Sequence, residues 1–327
     1  MIDVSKMPKI ELHCHLDGSI RPEIVQKLLA REGQEYTIEE LERRMRVTDE
    51  CTSLPEYLSK FELPVGSIQT LYGLETAAFD MAAGLARDNV KYVEVRFAPS
   101  LSTSRGLRYT EIIEAVEKGL ARARAKADIM TGIIVCAMRH MSFEENAAMF
   151  IAARELLGAG VVACDLAGDE STHPVEEFKE LFALAKSLEL PATIHSGETG
   201  RAANIRGAIE YGAKRIGHGI AMSGDEALMK LCADKHIGVE MRPTSNIQTH
   251  AISDFSKYPL REFLDHGVLA TINTDDMIVS DTSNTKEFEL VRDTFKLSDD
   301  ELKKIYMNSA EVVFASDEVK DRLIKMW

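Results

Sequence analysis

The chain has 327 residues, 45% hydrophobic and 28% charged, a balance that supports a large buried core and argues against a disordered or fibrous protein. Its formal charge is −14, so it repels phosphate backbones and offers no basic stripe for a nucleic acid to follow. Five scattered cysteines, never in a CxxC pair, argue against a disulfide framework or a cysteine zinc ribbon. Met1–Lys9 lacks the basic start and apolar stretch of a signal peptide, and no apolar run approaches membrane length. A soluble, cytoplasmic protein without nucleic-acid or membrane partners is expected, its protein partners left open.

Short β-rich runs alternate with longer amphipathic ones. The first predicted strand, Lys9–His13, leads into Glu11-Leu-His13-Cys-His15-Leu-Asp17-Gly18. Residues two apart on an extended strand project to one side, so His13 and His15 point together and Cys14 points away. Two converging imidazoles can hold a divalent metal. About eighty residues separate this run from the second strand, Tyr92–Phe97, far more than one crossover needs. Within them Ser53-Leu-Pro-Glu56 reads as a capping box, with Pro55 in the first turn. Leu54, Tyr57, Leu58 and Phe61 follow at i, i+3, i+4 and i+7 on one apolar face. Such a face packs on a core or closes a pocket, and its place after the first strand favours a lid.

The remaining strands are Gly132–Met138, Val161–Leu166, Ala192–His195, Arg215–His218, Ile237–Met241 and Leu269–Asn273. Most are dense in apolar residues rather than alternating, as strands buried on both faces should be. Ser142-Phe-Glu-Glu145, Ser223-Gly-Asp-Glu226 and Ser298-Asp-Asp-Glu301 each fit a capping box at a helix start. Eight strand–helix alternations predict an α/β fold, a (β/α)8 barrel, with a helical insertion after strand one and extra C-terminal helices. An open doubly wound sheet is the alternative, but neither GxGxxG nor GxxxxGK[ST] occurs. One domain over residues 1–327 is expected, and the role of the helices after Thr285 stays open.

In a barrel the strand ends surround one opening. His13 and His15 close the first strand, His195 the fifth, His218 the sixth, and Asp275-Asp276 follow the eighth. Three imidazoles and a carboxylate without a thiolate suit zinc and leave room for a water, whose pKa zinc lowers toward ~7. Glu198, three residues past His195, is placed to serve as a proton donor beside the metal.

At this point Glu11–Gly18, Asp165-Leu-Ala-Gly-Asp-Glu170, His195-Ser-Gly-Glu198, Gly217-His-Gly219 and Asn273-Thr-Asp-Asp276 resemble the adenosine deaminase family in order and spacing. Pro243-Thr-Ser-Asn246 and Leu54-Pro-Glu-Tyr-Leu58 are similar to it too. The resemblance implies hydrolysis of adenosine, and of 2′-deoxyadenosine, to the inosine product and ammonia. It implies one zinc per chain on His13, His15, His195 and Asp275, with His218 orienting the attacking water and taking its proton. It further implies that Glu198 protonates N1 and Asp276 meets N7, with the Gly168 amide at N3. Asp17 would hold the 5′-hydroxyl with His15 sharing that contact, and Leu54, Tyr57, Leu58 and Phe61 would form an apolar flap. Ser196 and Met241-Arg242 depart from the family's usual residues. Adenine or a modified purine nucleoside is the alternative substrate, and a non-catalytic purine-binding protein the alternative of a different class.

Overall fold

The computed structural model describes residues 2–48, 51, 54–199 and 201–327, the side chains of residues 54 and 55 excepted. Eight parallel strands run in chain order: β1 Lys9–His15, β2 Val90–Phe97, β3 Met130–Met138, β4 Val161–Ala167, β5 Thr193–Ser196, β6 Arg215–His218, β7 Gly238–Met241 and β8 Leu269–Ile272. They form two four-stranded sheets, β1 to β4 and β5 to β8, each neighbour paired in parallel. Two seams join the sheets into a barrel. At one, the Cys164 amide donates to the Pro191 carbonyl at 2.8 Å. At the other, the amides of His15 and Asp275 donate to the carbonyls of Asp275 and His13 at 2.8 and 2.9 Å. Nearly every strand residue is buried, which is why these runs carry continuous apolar stretches.

All eight strands lie where the sequence places them, with ends shifted by at most two residues. β1 extends to His15, so both histidines stand on the strand. Its register against β2 gains a residue between Glu11 and Cys14, a bulge that frees ladder amides. Side chains satisfy them. The Leu12 amide donates to Asn273 Oδ1 at 2.9 Å, and the His13 amide to Glu11 Oε1 at 2.7 Å. Glu11 Oε2 in turn accepts from the Thr274 amide, Thr274 Oγ1 and Asn284 Nδ2 at 2.8–2.9 Å. Glu11 therefore fixes the β1 end against the segment that bears Asp275.

The capping boxes at Ser142 and Ser298 form as expected. The one read at Ser223 does not. That helix is Glu226–Asp234, capped by Asp225, which accepts from the Leu228 amide, while Ser223 Oγ donates to Glu262 at 2.6 Å. A second acidic N-cap candidate two residues on won the start, because Asp caps as well as Ser. Ser53 lies outside the described residues, but the helix begins at Leu54 with Pro55 in its first turn. It runs to Leu58, tightens to a 3-10 turn at Ser59–Phe61 and continues as Glu62–Ser67.

The C-terminal helices close the opposite end of the barrel. Asp299–Val312 packs on β1, β7 and β8, burying Tyr306 and Ala310 with Ile10, Leu12 and Tyr92. The Val312 carbonyl accepts from Arg215 at 2.9 Å, and the Phe314 amide donates to Glu94 at 2.6 Å. Among the described residues no helix is long and apolar enough to cross a membrane.

Glu11→Gln swaps part of a carboxylate that accepts four hydrogen bonds for an amide donor facing donors. We expect a loss of ~1–3 kcal/mol, the cost of stranding a buried polar group. Urea denaturation against wild type measures it, and an unchanged midpoint would show that Glu11 does not anchor the seam.

Candidate active site and metal centre

The C-terminal ends of the strands surround a cavity of about 480 Å³, within the range of small-molecule sites. His15 from β1, His195 from β5 and Asp275 just beyond β8 line it, and fully buried His13 from β1 converges with them. His13 Nε2 and His15 Nε2 lie 3.1 and 3.3 Å from His195 Nε2, and 3.3 and 3.5 Å from Asp275 Oδ1. Four ligands ~2.0–2.1 Å from one zinc would stand roughly 3.3–3.4 Å apart, so the donor chemistry and these four separations suit such an ion.

The candidate ligands are aimed by buried charges. His13 Nδ1 lies 2.5 Å from Glu240 Oε2, and His195 Nδ1 lies 2.9 Å from Asp165 Oδ2. Arg96 joins those two carboxylates, with Nη1 2.8 Å from Asp165 and Nη2 2.9 Å from Glu240. Arg215 holds the other face of Glu240 at 2.6 Å and also pairs with Glu94. All five side chains are fully buried. Burial alone would raise both acids, but Arg96 with Arg215 holds Glu240 well below the usual carboxylate range. For Asp165 the opposing groups are His195 and Arg96, and they lower it. Each ionised carboxylate accepts a hydrogen bond from the Nδ1–H of its histidine, leaving Nε2 with the free lone pair.

The acids at the rim have other environments. Burial raises the Glu198 carboxyl, which stands 3.1 Å from His218 Nε2. Glu170 steadies its loop by accepting from the amides of Gly197 and Thr199 at 3.0 and 2.7 Å, and from Asn204 at 2.8 Å. Burial also keeps His218 well below its usual value, with Nδ1 2.8 Å from Asn246 Nδ2. Asp275 and Asp276 are adjacent yet split. Burial would raise both, but Arg242 and His13 hold Asp275 down, whereas burial beside Asp275 and Asp17 pushes Asp276 well up.

Asp17 lines the cavity, its carboxyl raised to about 6, chiefly by burial. Asp17 Oδ1 and Asp276 Oδ1 are buried without a hydrogen-bond partner among the described residues. Gly18 has to be glycine, since a Cβ there would lie 1.7 Å from Asp276 Oδ1. Gly168 lines the same cavity at φ +101°, a conformation that glycine adopts freely. His218 and Asp275 also sit at positive φ, 67° and 62°, a strain that the surrounding contacts must hold.

Tyr57, Leu58 and Phe61 line the cavity, while the Leu54 side chain is outside those described. Tyr57 is more than an apolar wall. It is buried, and its hydroxyl contacts Asp276 Oδ2 at 3.0 Å and Ser280 Oγ at 2.6 Å. Phe61 is half-buried and Leu58 exposed. Ser196 is buried with its hydroxyl unpartnered among the described residues, and nothing in the structure explains it.

Sequence reading passes over Arg96, Glu240, Glu11 and Glu170 as functional residues. A signal exists for the first two, since a charge inside a strand buried on both faces needs a partner. The identity of that partner is not in the local pattern.

Arg96→Met would leave Asp165 and Glu240 without their shared cation. We expect a loss of ~3–5 kcal/mol, as for a broken buried ion pair, and ~10–100-fold weaker metal binding. Denaturation and zinc titration check both, and intact metal affinity would show that the histidines do not need this bridge.

Residues 8–326 match the family model described as adenosine deaminase. An adenosine deaminase of Clostridium perfringens is 38% identical, with 98% of each chain covered. One from Clostridium botulinum is 40% identical over 99% of each. Among solved structures, an adenine deaminase from Arthrobacter aurescens superposes with a TM-score of 0.89 at 26% identity, covering 98% of this chain and 97% of that one. The chain belongs to the adenosine deaminase family of hydrolases.

Proposed function

We propose that this protein hydrolyses the 6-amino group of adenosine, and of 2′-deoxyadenosine, releasing ammonia, with one zinc per chain held by His13, His15, His195 and Asp275. Family membership supports purine deamination; the choice of adenosine is our reading. The observation that carries it is a buried carboxyl with raised affinity for its proton, Glu198, sharing one cavity with His15, His195 and Asp275, three of the four candidate metal ligands. A bound zinc would supply a water that is ionisable at neutral pH.

The protein's own residues do the rest. Aromatic C6 is a poor electrophile, and Glu198, whose burial favours its protonated form, donates to ring N1 so that the ring can accept electrons. His218 holds the attacking oxygen. As placed, its Nδ1 accepts from Asn246, which leaves Nε2–H as a donor. Taking a proton at Nε2 requires the other tautomer, reached by turning the Asn246 amide. Tyr258 Oη, 3.2 Å from Asn246, can pair with either orientation. Asp276, kept protonated beside Asp275, donates to N7, and the Gly168 amide meets N3. Asp17 Oδ1, an acceptor without a partner among the described residues, takes the ribose 5′-hydroxyl, with His15 lining the same cavity. Tyr57 orients Asp276, and Leu58 and Phe61 close the cavity against bulk water. We read residues 1–327 as one catalytic domain acting in the cytoplasm.

The second reading is adenine as substrate, favoured by the superposition on an adenine deaminase. Asp17 argues against it, because a free base has no hydroxyl to occupy that acceptor.

Loss of purine absorbance with adenosine, adenine and AMP in parallel tests the choice. Fast conversion of adenosine alone is expected, and conversion of adenine alone would overturn the nucleoside reading. Glu198→Gln should fold and hold zinc, yet lose ~10²–10⁴-fold in kcat with little change in substrate affinity. Retained turnover would remove Glu198 as the acid.

A further inference from the structure

Arg242 follows β7 directly and precedes the helix Pro243–Gln248, an arrangement that sends its side chain toward the metal ligands. It is fully buried, and it lines the cavity. Its Nη1 donates to Asp275 Oδ1 at 3.1 Å and lies in hydrogen-bond contact with His13 Nε2. His13 Nδ1 faces Glu240, which Arg96 and Arg215 keep ionised, so Nδ1 carries the ring proton and Nε2 holds its lone pair. The atoms that Arg242 contacts are thus two of the four that converge as metal ligands.

A nitrogen lone pair serves one partner. A guanidinium hydrogen-bonded to Nε2 and a dication coordinated by it exclude each other, and the two positive charges repel at such range. The rest of the guanidinium is loosely held. Arg242 Nε and Nη2 are buried without a hydrogen-bond partner among the described residues, so only Nη1 anchors the group. Turning it away from His13 breaks few hydrogen bonds.

We propose that Arg242 is an internal cation competing with the divalent metal for His13 Nε2 and Asp275 Oδ1. It holds the ligand set together when no metal is bound, and metal loading requires its guanidinium to turn into the cavity. The consequence is weaker metal affinity, traded for a ligand cluster that is charge-compensated at all times. The proposal rests on the ligand assignment made above, and it concerns loading of the site, not the deamination step.

The test is zinc titration of metal-stripped wild type, Arg242→Met and Arg242→Gln against a competing chelator, with thermal unfolding of each protein before and after zinc. Both variants should bind zinc at least about tenfold tighter. Metal-free they should melt below wild type, and they should gain more from added zinc, since ligand stabilisation grows as Kd falls. Arg242→Gln keeps the test open if Arg242→Met does not fold. Equal or weaker zinc affinity in a folded variant overturns the competition and leaves the ligand assignment standing. No zinc uptake by any of the three overturns the ligand assignment, and the competition with it.

Discussion

The arrangement depends most on one guanidinium inside the barrel. Arg96 joins Asp165 and Glu240, and those carboxylates orient His195 and His13. Taken alone, each charge would be costly to bury, and burial pushes each carboxylate toward its neutral form. Together they stay ionised though fully buried, so the histidines have one tautomer and one direction. Arg215 extends the same chain of charges to Glu94 and the C-terminal segment at the far end of the barrel. Closing that end keeps water out of the network, which is the condition for its strength.

Barrel closure and site assembly are one event. The seam between the sheets at the β1 end consists of hydrogen bonds between His13 or His15 and Asp275, so the last strand pairing also assembles the ligand set. The bulge in β1 frees amides there, and Glu11 and Asn273 occupy them. Positive φ at His218 and Asp275 belongs to the same region. Strain of this kind persists only where neighbours over-determine the backbone, and here a dense set of side-chain to main-chain bonds does so.

The neighbouring carboxylates show how environment separates roles. Asp275 faces Arg242, His13 and Ser245 and is held ionised, a ligand's state. Asp276 faces Asp275 and Asp17 and is pushed toward the protonated form, a donor's state. Glu198, buried beside neutral His218, is also raised. Pairs of acids driven apart in this way are what acid–base chemistry at neutral pH requires.

The sequence by itself determined the eight strands, the barrel and the identity of the converging site residues. Strand periodicity and apolar density are local properties, and a barrel brings strand ends together whatever their separation in the chain. The convergence of His13, His195, Glu198 and Asp275 was legible for that reason, and so was the apolar helix around Tyr57. Only the tertiary structure decided what those groups touch. Glu240 finds His13, Arg96 finds Asp165, Tyr57 finds Asp276, and Arg242 reaches the ligands across distances in sequence that no periodicity encodes. The start of the helix at Glu226, set by Asp225 rather than Ser223, was decided by a competition between two good caps. Burial and charge pairing are properties of the closed barrel, and they assign to each site residue its proton and its direction.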